Sequence, residues 1–307
     1  MPDALHDGVL TSLEGLLGPS EGRYFAAGYR TVRHTMSPPR HEAGTSRATA
    51  TAHYPHDWST DRSGRPRTPH LSSVDAVVLT TLALERELGP DVRRRWVRGV
   101  ELRGGTEPWW DLDTIPVTVS REATDDGARF RGLVGNIRAV VHVADDGTPV
   151  DREPPDDGPS VYQDAYRRTA CTTWVHPVDR AAQDVRANHE FAVEDDGPAV
   201  ATGIESAYHP ALTVVDYLVT MGQLTQVLVY ELAGTARGAV GNLWMRSLRI
   251  LGVPRPQRLP VTLTTTTTLV HDRLVARGGA GLHDVLVRSE SSNGVQAEAR
   301  LAWGEVA

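Results

Sequence analysis

The sequence predicts an α+β protein made of two tandem copies of one unit, each a long central helix wrapped by a curled antiparallel sheet. Two observations carry that reading. The first is an internal repeat whose motifs recur in the same order, the signature of a duplicated unit. Pro69-His70-Leu71-Ser72-Ser73-Val74-Asp75 returns as Pro210-Ala211-Leu212-Thr213-Val214-Val215-Asp216. Trp96-Val97-Arg98 returns as Trp244-Met245-Arg246, and Ile115-Pro116-Val117-Thr118-Val119 as Leu259-Pro260-Val261-Thr262-Leu263. Upstream, Tyr29-Arg30 resembles Tyr166-Arg167. The second observation is a seam, Asp151-Arg152-Glu153-Pro154-Pro155-Asp156-Asp157-Gly158-Pro159, acidic and rich in Pro and Gly as exposed linkers are. These features divide the chain into an N-terminal helical extension at 1–20, a first half at 21–150, a linker at 151–160 and a second half at 161–307.

Each element follows from its own pattern. Leu10, Leu13, Leu16 and Leu17 fall on one face of an amphipathic helix stopped at Gly18-Pro19. The two long helices run from about Leu71 to Leu88 and from about Leu212 to Leu232; both are apolar around most of their circumference, which marks helices enclosed by other structure. Period-two stretches at Trp96–Leu102, Val117–Ala123, Phe130–Val143, Leu243–Leu251, Val261–Val270, His283–Ser289 and Val295–Trp303 read as strands. Asp125-Asp126-Gly127 and Ser292-Asn293-Gly294 are hairpin turn signals. A single long apolar helix followed by an antiparallel meander is the arrangement of the hot-dog fold, so the whole chain is expected to be a tandem double hot-dog.

Composition narrows the chemistry. The sequence contains no lysine, which excludes a P-loop, a Schiff-base mechanism and a Ser-Lys dyad. With one cysteine, Cys171, no internal disulfide forms and a reducing compartment is natural. No apolar run approaches the ~18 residues of a membrane span, and the N-terminus lacks a basic region followed by an apolar one. A cytoplasmic location is therefore expected, with no membrane partner. The net charge of −7 offers no general attraction for nucleic acid.

Two resemblances sharpen the reading. Hot-dog dehydratases open the central helix with Pro and place an acid six residues later, as Pro69 to Asp75 and Pro210 to Asp216 do here; their loop opens with a motif that His53-Tyr54-Pro55 is similar to. Over nearly the whole chain, Tyr24-Phe25-Ala26-Ala27-Gly28-Tyr29-Arg30, His53-Tyr54-Pro55 with Trp58-Ser59, and Pro69 to Asp75 resemble the avirulence D (AvrD) family. That resemblance implies synthesis of syringolide-type acyl glycosides from a β-ketoacyl chain and a keto-sugar, akin to the hot-dog synthases of A-factor-type butyrolactones.

The candidate residues each carry two readings. Ser72 with Asp75, and Thr213 with Asp216, fit capping boxes at helix starts; the same carboxylates would also sit beside amides able to bind a thioester oxygen. In a double hot-dog the loop of one half faces the helix of the other, so His53 with Asp216 and His209 with Asp75 are the expected catalytic pairs. His53 is the candidate general base, or else a hydrogen-bonded histidine at a strand end. Trp58, Ser59, His70 and Ser72 are candidate substrate contacts, and Trp109-Trp110 either line a lipid tunnel or belong to the core. Arg30, Arg33 and Arg98 could grip a phosphate, and Arg246 is the second-half counterpart of Arg98. In His53-x-x-His56-Asp57 a metal pair can be read, but no third ligand has fitting spacing, so no metal is expected; Cys171 reads as a small buried residue.

The leading expectation is a synthase joining a β-ketoacyl thioester to a keto-sugar, its phosphate or a similar polyol. The alternatives are an acyl-thioester dehydratase, hydratase or thioesterase, and a non-catalytic acyl-binding module. No cofactor is expected, since acyl-CoA or an acyl carrier protein thioester is itself the substrate. The carrier protein is one candidate partner, and the chain is either a monomer acting as a pseudo-dimer or a homodimer. The asymmetry of the repeats selects between the two sites: a long loop separates Pro55 from Pro69, whereas His209 directly adjoins Pro210. Chemistry is accordingly expected where the His53 loop meets the Asp216 helix start, with the His209–Asp75 side structural.

Overall fold

A computed structural model describes residues 9–61, 63–124, 127–145, 147, 158–194, 200–237, 242–277 and 280–304. In chain order the first elements are β1 (Thr11–Ser12), α1 (Leu13–Leu17), a π-helical turn Tyr24–Gly28 running into α2 (Tyr29–Thr31), β2 (Arg33–Met36), β3 (Arg40–Glu42) and β4 (Thr45–His53). The long helix α3 (Ser73–Leu88) follows, then β5 (Trp96–Arg103), β6 (Ile115–Thr124), β7 (Gly127–Val134) and β8 (Ile137–Ala144). The remaining elements are β9 (Thr169–Val175), β10 (Asp184–Val193), α4 (Val214–Leu232), β11 (Trp244–Leu251), β12 (Val261–Arg277), β13 (Ala280–Ser291) and β14 (Gln296–Gly304).

All the strands join one antiparallel sheet in the order β1-β9-β10-β12-β13-β14-β11-β5-β8-β7-β6-β4-β2, with β3 added beside β4. From β9 inward to β11, and from β2 inward to β5, the two runs are the same sequence of strands met from opposite ends. They meet where β11 pairs with β5. Strand β5 shifts register against β8 between Val97 and Gly99, and β11 shifts against β14 between Met245 and Ser247, at the corresponding places of the Trp96 and Trp244 motifs. Even the irregularities repeat. Tyr29 and Tyr166, matched in the sequence repeat, stack with ring centroids 6.3 Å apart.

Burial explains the helices. On α3, Val74, Ala76, Val77, Val78, Leu79 and Leu84 are all fully buried, and α4 is buried along nearly its whole length. Helices that are apolar all round cannot face water, and the sheet closes over them. One core cluster unites α3 with β5–β8 and reaches Val214, Val215 and Leu218 at the start of α4. A second lies between the far part of α4 and the outer second-half strands.

Three elements differ from the sequence expectation. The apolar stretch from Phe130 to Val143 is two strands, because Gly135, with φ +56°, and Asn136 turn the chain between them. Its alternation continues through the turn, so periodicity alone could not reveal the reversal. The N-terminal helix is only Leu13–Leu17; Thr11 and Ser12 pair instead with Val175 and Trp174, while Leu10 is exposed. Leu13 and Leu17 still bury against the α4 cluster. The outer second-half strands run longer than their alternating cores. Residues 151–157 of the expected linker, the last three residues of the expected first half (148–150) and Asp125-Asp126 of the first turn signal lie outside the described residues.

Candidate functional site

The two helix starts are chemically similar and electrostatically different. At α3, Asp75 accepts a hydrogen bond from the Ser72 amide at 2.7 Å while the Asp75 amide donates to Ser72 Oγ at 3.1 Å, a closed capping box. Its other contacts come from β2 and from the residue that follows β4. His34 Nε2 lies 2.7 Å from Asp75 Oδ1, with neither side chain exposed, and the Tyr54 hydroxyl donates to Oδ2. Burial alone would raise the Asp75 pKa, but His34, Tyr54 and the Ser72 amide outweigh it and hold the carboxyl below its ordinary value. At α4, Asp216 Oδ2 accepts from the Thr213 amide at 2.7 Å and the Thr213 hydroxyl at 2.8 Å. Burial then dominates, and the Asp216 pKa is pushed up to about 6.

Above the start of α3 opens a cleft of about 510 Å³. Its walls are the long loop (Trp58, Ser59, Arg67, His70), Ser72 before α3 and Ser73 at its start, and Tyr24 and Phe25 from the π-helical turn. The second half closes it with Gln226 and Tyr230 of α4, Arg237 beyond that helix, and Trp244 to Arg246 of β11. Tyr24 hydrogen-bonds Ser72 Oγ, so a polar chain runs from the cleft through Tyr24 and Ser72 to Asp75, Tyr54 and His34.

His70 occupies an aromatic recess in this cleft. Its ring lies 5.1 Å from that of Trp244, 5.9 Å from Trp58 and 5.8 Å from Trp110. Burial lowers the His70 pKa from its usual value, so the ring is neutral at neutral pH. Nδ1 faces the Thr68 carbonyl at 3.4 Å. A carbonyl only accepts, which assigns the proton to Nδ1 and leaves the Nε2 lone pair as a base.

A smaller apolar pocket of about 90 Å³ adjoins the cleft and shares Phe25, Ser73, Gln226, Leu243 and Met245 with it. Leu218, Met221 and Gly222 of α4 and Leu248, Val287 and Ala299 of the sheet complete its walls. The arrangement is a polar chamber leading into a greasy slot between α4 and the second-half strands.

Four of the sequence-predicted contacts, Trp58, Ser59, His70 and Ser72, come together in this cleft. The expected histidine–acid pairs do not form. Ala50 and Ala52 of β4 are buried, so the strand's alternation turns His53 outward, and Tyr54, the next residue, reaches Asp75. Asp75 has His34 as its histidine in place of His209, which follows the short 3₁₀ turn Ser206–Tyr208 away from the cleft lining. The long loop borders the start of α3 and the far part of α4, not the Asp216 helix start. Arg30 is bound to Glu194 and the Thr169 carbonyl, and Arg33 lies 3.9 Å from Asp164; both sit outside the cleft lining. Cys171 is exposed, contrary to expectation. Sequence reasoning missed His34, Tyr54, Tyr24, Arg67 and Arg237. Tyr24 and Tyr54 lay inside quoted motifs, whereas Arg67 and Arg237 have no signal in a chain where every basic residue besides histidine is arginine.

Among the described residues no group of acids, histidines and cysteine could hold a metal ion, and no helix is long and apolar enough to cross a membrane.

Comparison with solved structures finds similarity in chain path. A putative thioesterase from Novosphingobium aromaticivorans is 11% identical, with 87% of this chain and 98% of that one covered and a TM-score of 0.41. A protein of unknown function with a hot-dog fold from Alicyclobacillus acidocaldarius is 8% identical, covering 88% and 96%, with a TM-score of 0.41. The 12:0-ACP thioesterase from Umbellularia californica is 11% identical, covering 87% and 100%, with a TM-score of 0.43. At these values the likenesses assign no activity. No curated protein matches the sequence. The family model described as Pseudomonas avirulence D protein (AvrD) matches residues 8–302, and the chain belongs to that family.

Proposed function

We propose that the chain is a tandem double hot-dog enzyme that joins a β-ketoacyl thioester to a keto-sugar, its phosphate or a similar polyol. The observation that carries this reading is the polar cleft continuous with an apolar slot, lined by both halves. A substrate with a greasy chain and a polar reacting end fits such a site, and the cleft leaves room for a second, hydroxylated molecule. AvrD family membership supports the same chemistry.

In this mechanism the acyl chain enters the slot and the thioester carbonyl faces the first turn of α3, near Ser73 and the Tyr24 hydroxyl. First-turn amides have no intrahelical acceptor and stabilise developing negative charge on oxygen. Burial raises the Tyr24 pKa well above normal, so its hydroxyl remains a donor. His70 Nε2 removes the proton from an acceptor hydroxyl, whose oxygen attacks the thioester carbon. The C–S bond breaks, and the thiolate takes the proton back from His70. The carbon between the two carbonyls then gives up a proton and adds to the sugar ketone, whose oxygen takes a proton to become a hydroxyl. This bond closes the ring, and that hydroxyl leaves as water with the remaining hydrogen of the attacking carbon, forming the butenolide-type double bond. Asp75 acts as a positioning residue: it holds Ser72 and Tyr54 and does not line the cleft.

The test is thiol release from a β-ketoacyl thioester with and without a pentulose phosphate, with product mass followed. Release dependent on the acceptor is expected, and His70→Gln should slow it by roughly 10²–10⁴-fold. In kcat/KM, the limb reporting His70 should lie below pH 6.5 and disappear in the variant. Equal release in water, giving free acid, would replace the synthase by a thioesterase; water loss from a 3-hydroxyacyl thioester would replace it by a dehydratase.

A further inference from the structure

Two arginines in the cleft are fixed by neutral groups. Arg67, from the long loop, donates through Nε to the Thr60 carbonyl at 3.3 Å and through Nη1 to Asn242 Oδ1. Arg237, beyond α4, donates through Nη2 to the same Thr60 carbonyl at 3.3 Å and to the Gly22 carbonyl at 2.8 Å. Arg246 lines the same cleft and reaches the Gly105 carbonyl at 3.3 Å. Elsewhere Arg129, Arg288 and Arg300 each have a carboxylate partner. Among the described residues Arg67, Arg237 and Arg246 have none, and the only carboxylate in the cleft lining belongs to Glu107. A guanidinium carries five N–H donors in a rigid fork. The carbonyl anchors use Nε and Nη1 of Arg67 and Nη2 of Arg237, which leaves Arg67 Nη2 and Arg237 Nη1 and Nε to bind a ligand. The charges also feel one another: burial and then Arg67 lower the Arg237 pKa, and burial and then Arg237 bring that of neighbouring Arg23 to about 10. Among the described residues, this is a preorganised positive site whose three guanidiniums have no carboxylate partner.

We propose that Arg67 and Arg237, with Arg246 in the same cleft, seat a phosphoryl group carried by one of the two substrates. A phosphoryl dianion offers several oxygens to forked donors and matches the charge that the carbonyl anchors leave unneutralised. The choice of ligands rests on the synthase reading: the group is either the phosphate of the acceptor sugar or that of the carrier's phosphopantetheine arm.

Calorimetric titration without turnover tests the seat. The full chain is titrated with pentulose 5-phosphate and free pentulose, and with 4′-phosphopantetheine and pantetheine. One phosphorylated ligand is expected to bind at least about 10-fold more tightly than its unphosphorylated partner, and which pair shows the difference identifies the source. Arg67→Gln and Arg237→Gln should each remove about 10-fold of that preference, with Arg237→Lys retaining part of it. Far-UV circular dichroism checks that the variants fold, and the wild-type comparison stands without them. The proposal is overturned if neither phosphorylated ligand outbinds its partner, or if both folded Gln variants bind like wild type. Failure of acceptor-dependent thiol release would remove the synthase and leave a measured phosphoryl preference intact.

Discussion

Glu101 and Arg249 face each other directly across the β5·β11 pairing, with Arg249 Nε 3.1 Å from Glu101 Oε2. They are separated in sequence by the same interval as Trp96 and Trp244, so each stands at the other's place in the repeat. Their neighbours cross over accordingly: Leu102 pairs with Leu248 and Val100 with Ile250. A central pair made of equivalent positions is what two-fold symmetry requires of an interface closed on itself. A carboxylate opposite a guanidinium also removes the like-charge contact that an identical pair would create.

The seam between the halves should owe its strength to its apolar residues. Ile250 and Val100 are fully buried, whereas Glu101 and Arg249 are substantially exposed. Ile250→Ala should cost about 2–5 kcal/mol, and Glu101→Ala less than about 1 kcal/mol even though it also releases His142. Urea denaturation of both variants measures the contrast. A Glu101→Ala loss equal to that of Ile250→Ala would show that the seam is electrostatic.

A second tie between the halves predicts how stability changes with pH. Glu85 of α3 accepts hydrogen bonds from the Ile204 amide at 3.1 Å and the Ser160 hydroxyl at 3.3 Å. Glu205, which is buried, accepts from the Val97 amide at 2.8 Å and the Tyr162 hydroxyl at 3.1 Å. Burial pushes each carboxyl up to about 8. Between the ordinary carboxylate pKa of 4.5 and about 8 the folded chain therefore holds protons that the unfolded chain has released. Their stabilising contribution is complete below 4.5 and is lost as pH rises through about 8. Denaturation midpoints should fall from pH 6 to pH 9, and Glu205→Gln, neutral throughout, should reduce that fall. A variant with the wild-type slope would show that Glu205 does not titrate in this range.

The fold was legible because duplication wrote each signal twice. Pro-x₅-Asp, Trp-x-Arg and the Pro-containing strand starts each fixed an element in both halves, and both capping carboxylates took their expected places. The site was half legible. Residues close in sequence to the α3 start, such as His70 and Ser72, line the cleft, because a short segment cannot stray far from the helix it precedes. The expected pairing of His53 with Asp216 fails on two counts: His53 lies on the exposed face of its strand, since one residue exchanges the two faces, and its neighbour Tyr54 meets Asp75 of its own half. His34 was invisible because its partner lies on another element. The cleft is shared for the same reason: its far wall comes from α4 and β11, and nothing local to the His53 loop announces them.

The apolar slot should set the length of the acyl chain. Ala299 lines it beside Ala297, Leu301 and Val287, opposite Gly222 and Met221 of α4. Along that slot each buried methylene contributes about 0.8 kcal/mol, or roughly fourfold in kcat/KM, until the chain meets the end of the pocket. Replacing a methyl by a ring at Ala299 fills space that the distal carbons would occupy and leaves His70, Ser72 and the arginines untouched. Ala299→Phe should therefore move the optimum of a β-ketoacyl series to shorter chains, with long-chain kcat/KM reduced at least about 10-fold. The shortest substrate, acetoacetyl thioester, should be turned over as by wild type, because its four carbons stay within the polar cleft. A strand substitution that merely loosened the sheet would lower every member of the series together. An unchanged chain-length profile in a folded Ala299→Phe protein would mean that the acyl chain runs elsewhere and that the slot beside α4 is only a packing gap.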